Sequence, residues 1–220
     1  MNTVVSFFQS GGPFMYPIAL VLVVGLALTI ERWLFLTAAK ASNRRAFNRI
    51  LPLLQKKDYA AVVDLARQNR APIGRIVASG LARMQQSPRR DEIEYAMEEG
   101  VMEAVPRLEK RTPYLATLAN IATLLGLLGT IMGLIAAFTA VANADPAEKA
   151  NLLSQSISVA MNTTAFGLMS AIPLLLAHAM LQTKTTEIVD SLEMAGVKCL
   201  NMMSNTNAFS SRTRSADAVR

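Results

Sequence analysis

Apolar and charged positions in this 220-residue chain are separated into long blocks. Residues 1–30, 112–144 and 150–183 contain no Asp, Glu, Lys or Arg. Each run exceeds the ~20 apolar residues that a helix needs to cross a hydrocarbon core. The first predicts a transmembrane helix over 14–36, entered through Gly11, Gly12, Pro13 and Pro17, where a missing backbone donor is tolerated. The other two predict transmembrane helices over 112–142 and 156–182, joined by a turn at 143–155. As helices, these uncharged runs would be ~50 Å long against a core of ~30 Å. They must therefore overhang, and the short turn makes them an antiparallel hairpin whose surplus length joins a cytoplasmic domain.

Between the first two spans, residues 37–111 repeat apolar side chains at helical spacing, with no alternating pattern of useful length. Ile50, Leu53 and Leu54 mark one helix, Val62, Val63, Leu65 and Ala66 a second, and Ile73, Ile76, Val77 and Leu81 a third. Ser87 and Pro88 offer an N-cap and a first-turn proline for a fourth, with Asp91, Glu92 and Glu94 near its positive dipole end. The stripe Ile93, Met97, Val101, Val105 and Leu108 faces a core, while runs such as Arg89-Arg90 and Glu98-Glu99 are solvated faces. Pro106 and Pro113 predict an interruption before the second span. After the third span, Ile188, Leu192, Ala195 and Cys199 share one face of a helix over 183–205, and residues 206–220 read as a flexible tail rich in Ser, Asn, Thr and Arg.

Composition agrees with a membrane protein: 52% of residues are hydrophobic, 17% are charged and mean hydropathy is +0.30. The net charge of +6 could suggest nucleic acid, but its placement points elsewhere. Sixteen of the 22 basic residues lie between Arg32 and Arg111, one (Lys149) lies in the 143–155 turn, and five follow Thr183. By the positive-inside rule this predicts an N-out/C-in protein. Residues 1–13 and 143–155 are then periplasmic, and 37–111 and the C-terminal region cytoplasmic. No basic residue precedes Arg32 and no small-residue cleavage pattern ends the first run, so it is read as a retained anchor. At its end Arg32 can snorkel and Trp33 can sit among headgroups.

Candidate chemistry is sparse. The second span carries Gly126, Gly129, Thr130 and Gly133 three or four apart, and the third carries Ser156, Ala160, Thr163, Thr164, Gly167 and Ala171 at matching intervals. Such stripes let helix backbones approach closely in lipid, and the hydroxyls can bond back to their own helix. Two of them in one hairpin also suit a partner helix or a wet passage. The hairpin spans have no carboxylate; His178, Asn120 and Asn162 are their strongly polar candidates, and His178 reads either as a structural hydrogen-bonding residue or as a relay. One His and one Cys make no metal set, and phosphate-cradling, dinucleotide and nucleophile-elbow motifs are missing, so no cofactor, metal or enzymatic activity is expected. A proton crossing here would need an acid from another chain.

The segment GLLGT at Gly126–Thr130, followed by Ile131, Met132, Gly133 and Phe138, resembles the MotA/TolQ/ExbB proton-channel family, nearer its three-span ExbB/TolQ branch. So do Thr164-Ala165-Phe166-Gly167-Leu168 and Ala171-Ile172-Pro173, along with the large insert between spans. The resemblance implies an all-α homopentamer of the bacterial inner membrane. Its second and third helices line a pore holding the single-span helices of an ExbD/TolR-like dimer whose transmembrane Asp binds the proton. Proton-motive force is thereby converted into mechanical work on envelope or transport machinery. Thr130 and Thr164 match the pore threonines, and Thr163 and Ser156 are read as lining the same proton pathway. Gly126, Gly129, Gly133, Gly167, Ala171 and Pro173 would pack around the partner. Where the family usually has Glu, five residues before the matching threonine, this chain has Val159. A non-conducting scaffold of the same fold is the competing reading. A small-solute transporter is less supported, because three spans show no inverted repeat or binding cluster.

Overall fold

The computed structural model describes residues 11–68, 71–87, 89–142 and 144–217, with side chains described as far as Met203. Among the described residues six helices follow one another: α1 Met15–Gln55, α2 Tyr59–Gln68, α3 Pro72–Gln86, α4 Arg90–Glu109, α5 Thr112–Ala142 and α6 Lys149–Asp217. No strand occurs among the described residues. Helices α1, α5 and α6 contain the stretches long and apolar enough to cross a membrane. Their outward side chains fit that solvent: Leu20, Val23, Leu124, Phe138, Ile172 and Leu176 are exposed. In water these would form a large apolar patch, whereas acyl chains accept them.

The chain divides into two compact units, Met1–Trp33 with Arg111–Leu181, and Leu34–Lys110 with Gln182–Arg220. In the first, Ala119, Ala122, Ala171 and Leu174 form a buried cluster, with Val21 and Leu118 packed against it. Small side chains dominate because helices in lipid gain from close contact rather than from removing apolar area from water. Gly25 permits the fit of α1, since a Cβ there would lie 2.5 Å from a Leu174 methyl. At the end of this unit Glu31 pairs with Arg111 at 3.3 Å. Arg32, expected to snorkel, is instead buried beside them.

The second unit is built as a water-soluble bundle is built. Ile50, Val62, Ile76, Leu81, Ile93, Leu108, Ile188 and Leu192 are buried, each contributing about 1.5–3 kcal/mol of transfer free energy when fully enclosed. Helix ends are closed by specific bonds. After α1, Lys57 takes φ 61, with its N–H on Leu54 O and that of Asp58 on Leu53 O, which is a Schellman closure. Asp58 then caps α2, its carboxylate accepting from Ala61 N–H at 3.1 Å. Pro72 begins α3, and the buried Asn43 of α1 accepts from Ile73 N–H at 3.4 Å. Close crossings occur where glycine allows them: a Cβ on Gly100 would lie 3.2 Å from Ile76 Cα.

Three local expectations change. Ser87 ends α3, donating its backbone N–H to Arg83 O, and the N-cap of α4 is Arg89 with no side-chain cap; Pro88 lies outside the described residues. The interruption falls between the two prolines, at Lys110 and Arg111, where Arg111 takes φ 71. Helix α6 runs to Asp217 in place of a loose tail from 206. Gly196 is the last Gly and Pro173 the last Pro in the chain, so later residues contain no strong breaker.

Candidate functional site

Within the first unit, α5 and α6 meet along a ladder whose rungs run in opposite chain directions. A Cβ on Gly126 would lie 3.2 Å from Gly167 Cα, and one on Gly167 would lie 2.8 Å from Ala122 O and 2.9 Å from Gly126 Cα. The next rung sets Gly129 directly against the Thr163 side chain, and the one after sets Gly133 against Ala160, whose Cβ would be 2.8 Å away. Ala122 and Ala171 continue the seam toward the other end. The side-chain periods place these groups on one face of each helix, and only glycine lets the backbones close to this distance.

The same seam decides where the hydroxyls go. Thr164 donates to Gly126 O at 2.8 Å, across the two helices. Thr130 donates to Leu127 O at 2.6 Å on its own helix. These acceptors are consecutive carbonyls of α5, so both hydroxyls sit at one level. Each is only partly enclosed and retains acceptor lone pairs beyond the donated proton. Thr163, one residue from Thr164, is buried, with its hydroxyl 2.6 Å from Gly11 O and 3.0 Å from Val159 O. It points about 100° away from Thr164 around the helix and closes the segment before α1 onto α6.

The remaining predicted residues separate. Ser156 and Val159 are half-buried, about two turns and one turn before Thr163–Thr164 respectively. Val159 packs by the segment preceding α1: a Cβ on Gly12 would lie 3.1 Å from its Cγ1. Ala171 is buried, whereas Pro173 is exposed within α6. Gly126, Gly129, Gly133 and Gly167 meet the chain's own hairpin. Two complementary small-residue stripes on adjacent antiparallel helices fit each other closely. His178 and Asn162 are half-buried and Asn120 is exposed.

The sequence model of the MotA/TolQ/ExbB proton channel family matches residues 68–194, more than half of the chain and all of this seam. The chain belongs to that family. Its resemblance is to the ExbB/TolQ branch. An ExbB homolog of Methanothermobacter thermautotrophicus is 27% identical over 195 residues, covering 88% of this chain and 68% of the relative. An ExbB-like protein of Synechocystis is 29% identical over 169 residues, covering 76% and 80%. The Tol-Pal system protein TolQ of Haemophilus influenzae is 34% identical over 93 residues, 42% of this chain and 40% of TolQ. As an ExbB/TolQ-like protein, the chain is an energising subunit of membrane transport or envelope systems.

Some of the ExbB/TolQ-like site went unread in the sequence. Gly25, the Gly11 carbonyl and Ser170 were not singled out, yet the first sets the packing of α1 and the second holds Thr163. Ser170 is fully buried, with a hydroxyl lacking a hydrogen-bond partner. Gly25 alone had a usable signal, a small residue amid large aliphatics in the first span.

Proposed function

We propose that the chain is the pore-forming subunit of an inner-membrane proton-driven stator, N-out/C-in, working as a homo-oligomer of family type, a pentamer, around a single-span ExbD/TolR-like dimer. The partner's transmembrane Asp carries the proton. The observation that carries this reading is the pairing of Thr130 and Thr164 at one level of a hairpin without carboxylates. A carboxylate left in dry hydrocarbon is costly, whereas a protonated one needs an acceptor for its O–H. Two hydroxyls can serve both states: they accept from the neutral acid, and on rotating they donate to the anion or to a bridging water. The proton then moves as the partner acid alternates between them and bulk solvent, and the coupled displacement drives envelope or transport machinery.

Helix packing limits which residues take part. Thr163 serves as an internal clasp and the glycines as the seam that holds the threonine pair at its level, with Ser156 further along the path. Reconstituted with its partner, the wild-type chain is expected to pass protons, and Thr164→Val to lose at least about tenfold of that flux while still assembling. Unchanged flux in Thr164→Val ends the hydroxyl role. One observation favours the non-conducting scaffold: Val159 lies against Gly12 at the position where the family resemblance implies an acid. No flux from the wild-type complex, with assembly intact, selects that reading.

A further inference from the structure

In the second unit, α6 is flanked by two grooves of opposite charge. On one side α4 and α6, floored by Ile76, Met97, Val101 and Leu200, enclose about 390 Å³ whose rim holds Glu94, Glu98 and Glu193 and no cation. On the other side α1 and α6 enclose about 220 Å³, rimmed by Lys40, Arg44 and Lys198 with no carboxylate. Lys40 is already paired with Glu187 at 2.7 Å. Arg44 and Lys198 are exposed, and neither they nor the three rim glutamates form an ion pair among the described residues. Elsewhere in the same unit exposed charges do find partners, as in Arg83–Glu92 and Arg75–Glu103. At these two grooves the charges are thus of one sign each, acidic on one flank of α6 and basic on the other. Met102 and Val197, large and apolar, stand exposed at the acidic groove.

A surface that carries a patch on one flank and its complement on the other satisfies both only by repetition, each copy offering its basic flank to the acidic flank of the next. That is a heterologous contact, which forms a ring when the rotation closes. We infer that the groove between α4 and α6 receives the Arg44–Lys198 edge of a second copy of this chain. The aliphatic stems of Arg44 and Lys198 cover Met102 and Val197, and their charges meet Glu94, Glu98 and Glu193. The inference rests on the oligomeric reading proposed above and adds which surfaces make the subunit contact. As the pairing lies at a wet rim, it sets register and partner choice, and it weakens with salt.

The test uses full-length chains in native membranes. Chains carrying Glu98→Cys are co-expressed with chains carrying Arg44→Cys, both in a Cys199→Ala background, and oxidised. A cross-linked pair that needs both variants is expected. No cross-link, or one formed by Glu98→Cys chains alone, overturns the inference, as does transfer of the cross-link to a different protein. Separately, Glu94→Lys/Glu98→Lys/Glu193→Lys is expected to lower the oligomeric fraction at least about tenfold, with recovery on adding Arg44→Glu/Lys198→Glu. A wild-type chain that is monomeric by native mass in detergent sinks the oligomeric reading itself. An oligomeric wild type indifferent to these reversals sinks only the inferred contact.

Discussion

Each of the two units is held together internally by a different means. Between α5 and α6 contact is made by removing side chains: Gly126 meets Gly167 backbone to backbone, and the hydroxyls turn to nearby carbonyls. In the other unit it is made by filling space, with Ile76, Leu81, Ile93 and Leu192 in a core and Lys40–Glu187 or Arg83–Glu92 at its edge. The difference follows from solvent. In water, burying large apolar groups stabilises most; in lipid that term vanishes and close approach with satisfied polar groups takes over. The same substitution should therefore have very different effects in the two places.

The largest effect is expected at Gly167→Leu. The new side chain would meet Ala122 O and Gly126 Cα, neither of which can swing aside, so the cost should be about 3 kcal/mol or more and the chain should unfold well below wild type on heating in detergent. A wild-type Tm for Gly167→Leu would mean the seam is looser than described.

Cys199 tests the water-type core. Burial pushes its thiol up to about 12, so in the folded chain it should resist maleimide near neutral pH and react only after unfolding. Its folded pKa lies above the unfolded value, so the associated stability is intact below the unfolded pKa and is lost as pH rises from there toward about 12. Cys199→Ala should be less sensitive over that alkaline window, read as Tm against pH. Prompt labelling of the folded protein would contradict an enclosed core.

Thr163→Val keeps the shape and removes the clasp on Gly11 and Val159, leaving a buried carbonyl without its donor. About 1 kcal/mol should be lost, with faster proteolysis near Gly11 as the local readout. The smallest change belongs to Glu187→Gln. The hydrogen bond from Lys40 and its charge, with Lys184 nearby, hold the Glu187 carboxyl below the usual range. Its contribution is present above the unfolded carboxylate pKa and fades as pH falls through the depressed folded value. Both groups are exposed, so wild type and Glu187→Gln should differ slightly at neutral pH and low salt, then converge on acidification or added salt.

Much of this contrast could be read from residue order. Charge-free runs located the three stretches long and apolar enough to cross a membrane, and helical periodicity marked Ile73, Ile76, Val77 and Leu81 as a buried face. The small-residue stripes were visible too, but a stripe that faces its own hairpin is written the same way as one that faces a foreign helix. Their use on Gly126–Gly167 needed coordinates. Helix phase was also illegible: Thr163 and Thr164 are identical neighbours, and only the rotation of α6 turns one toward Gly11 and the other toward Gly126. Ser87 suited either end of a helix, and the chain closed α3 with it.

A joint built from bare backbone has no rotamers to exchange. Where Gly126 lies on Gly167, the two rods can neither slip by one notch nor open slightly without losing the whole contact. In the stator proposed above, a stroke would carry the hairpin as a single stiff strut, with the give located elsewhere.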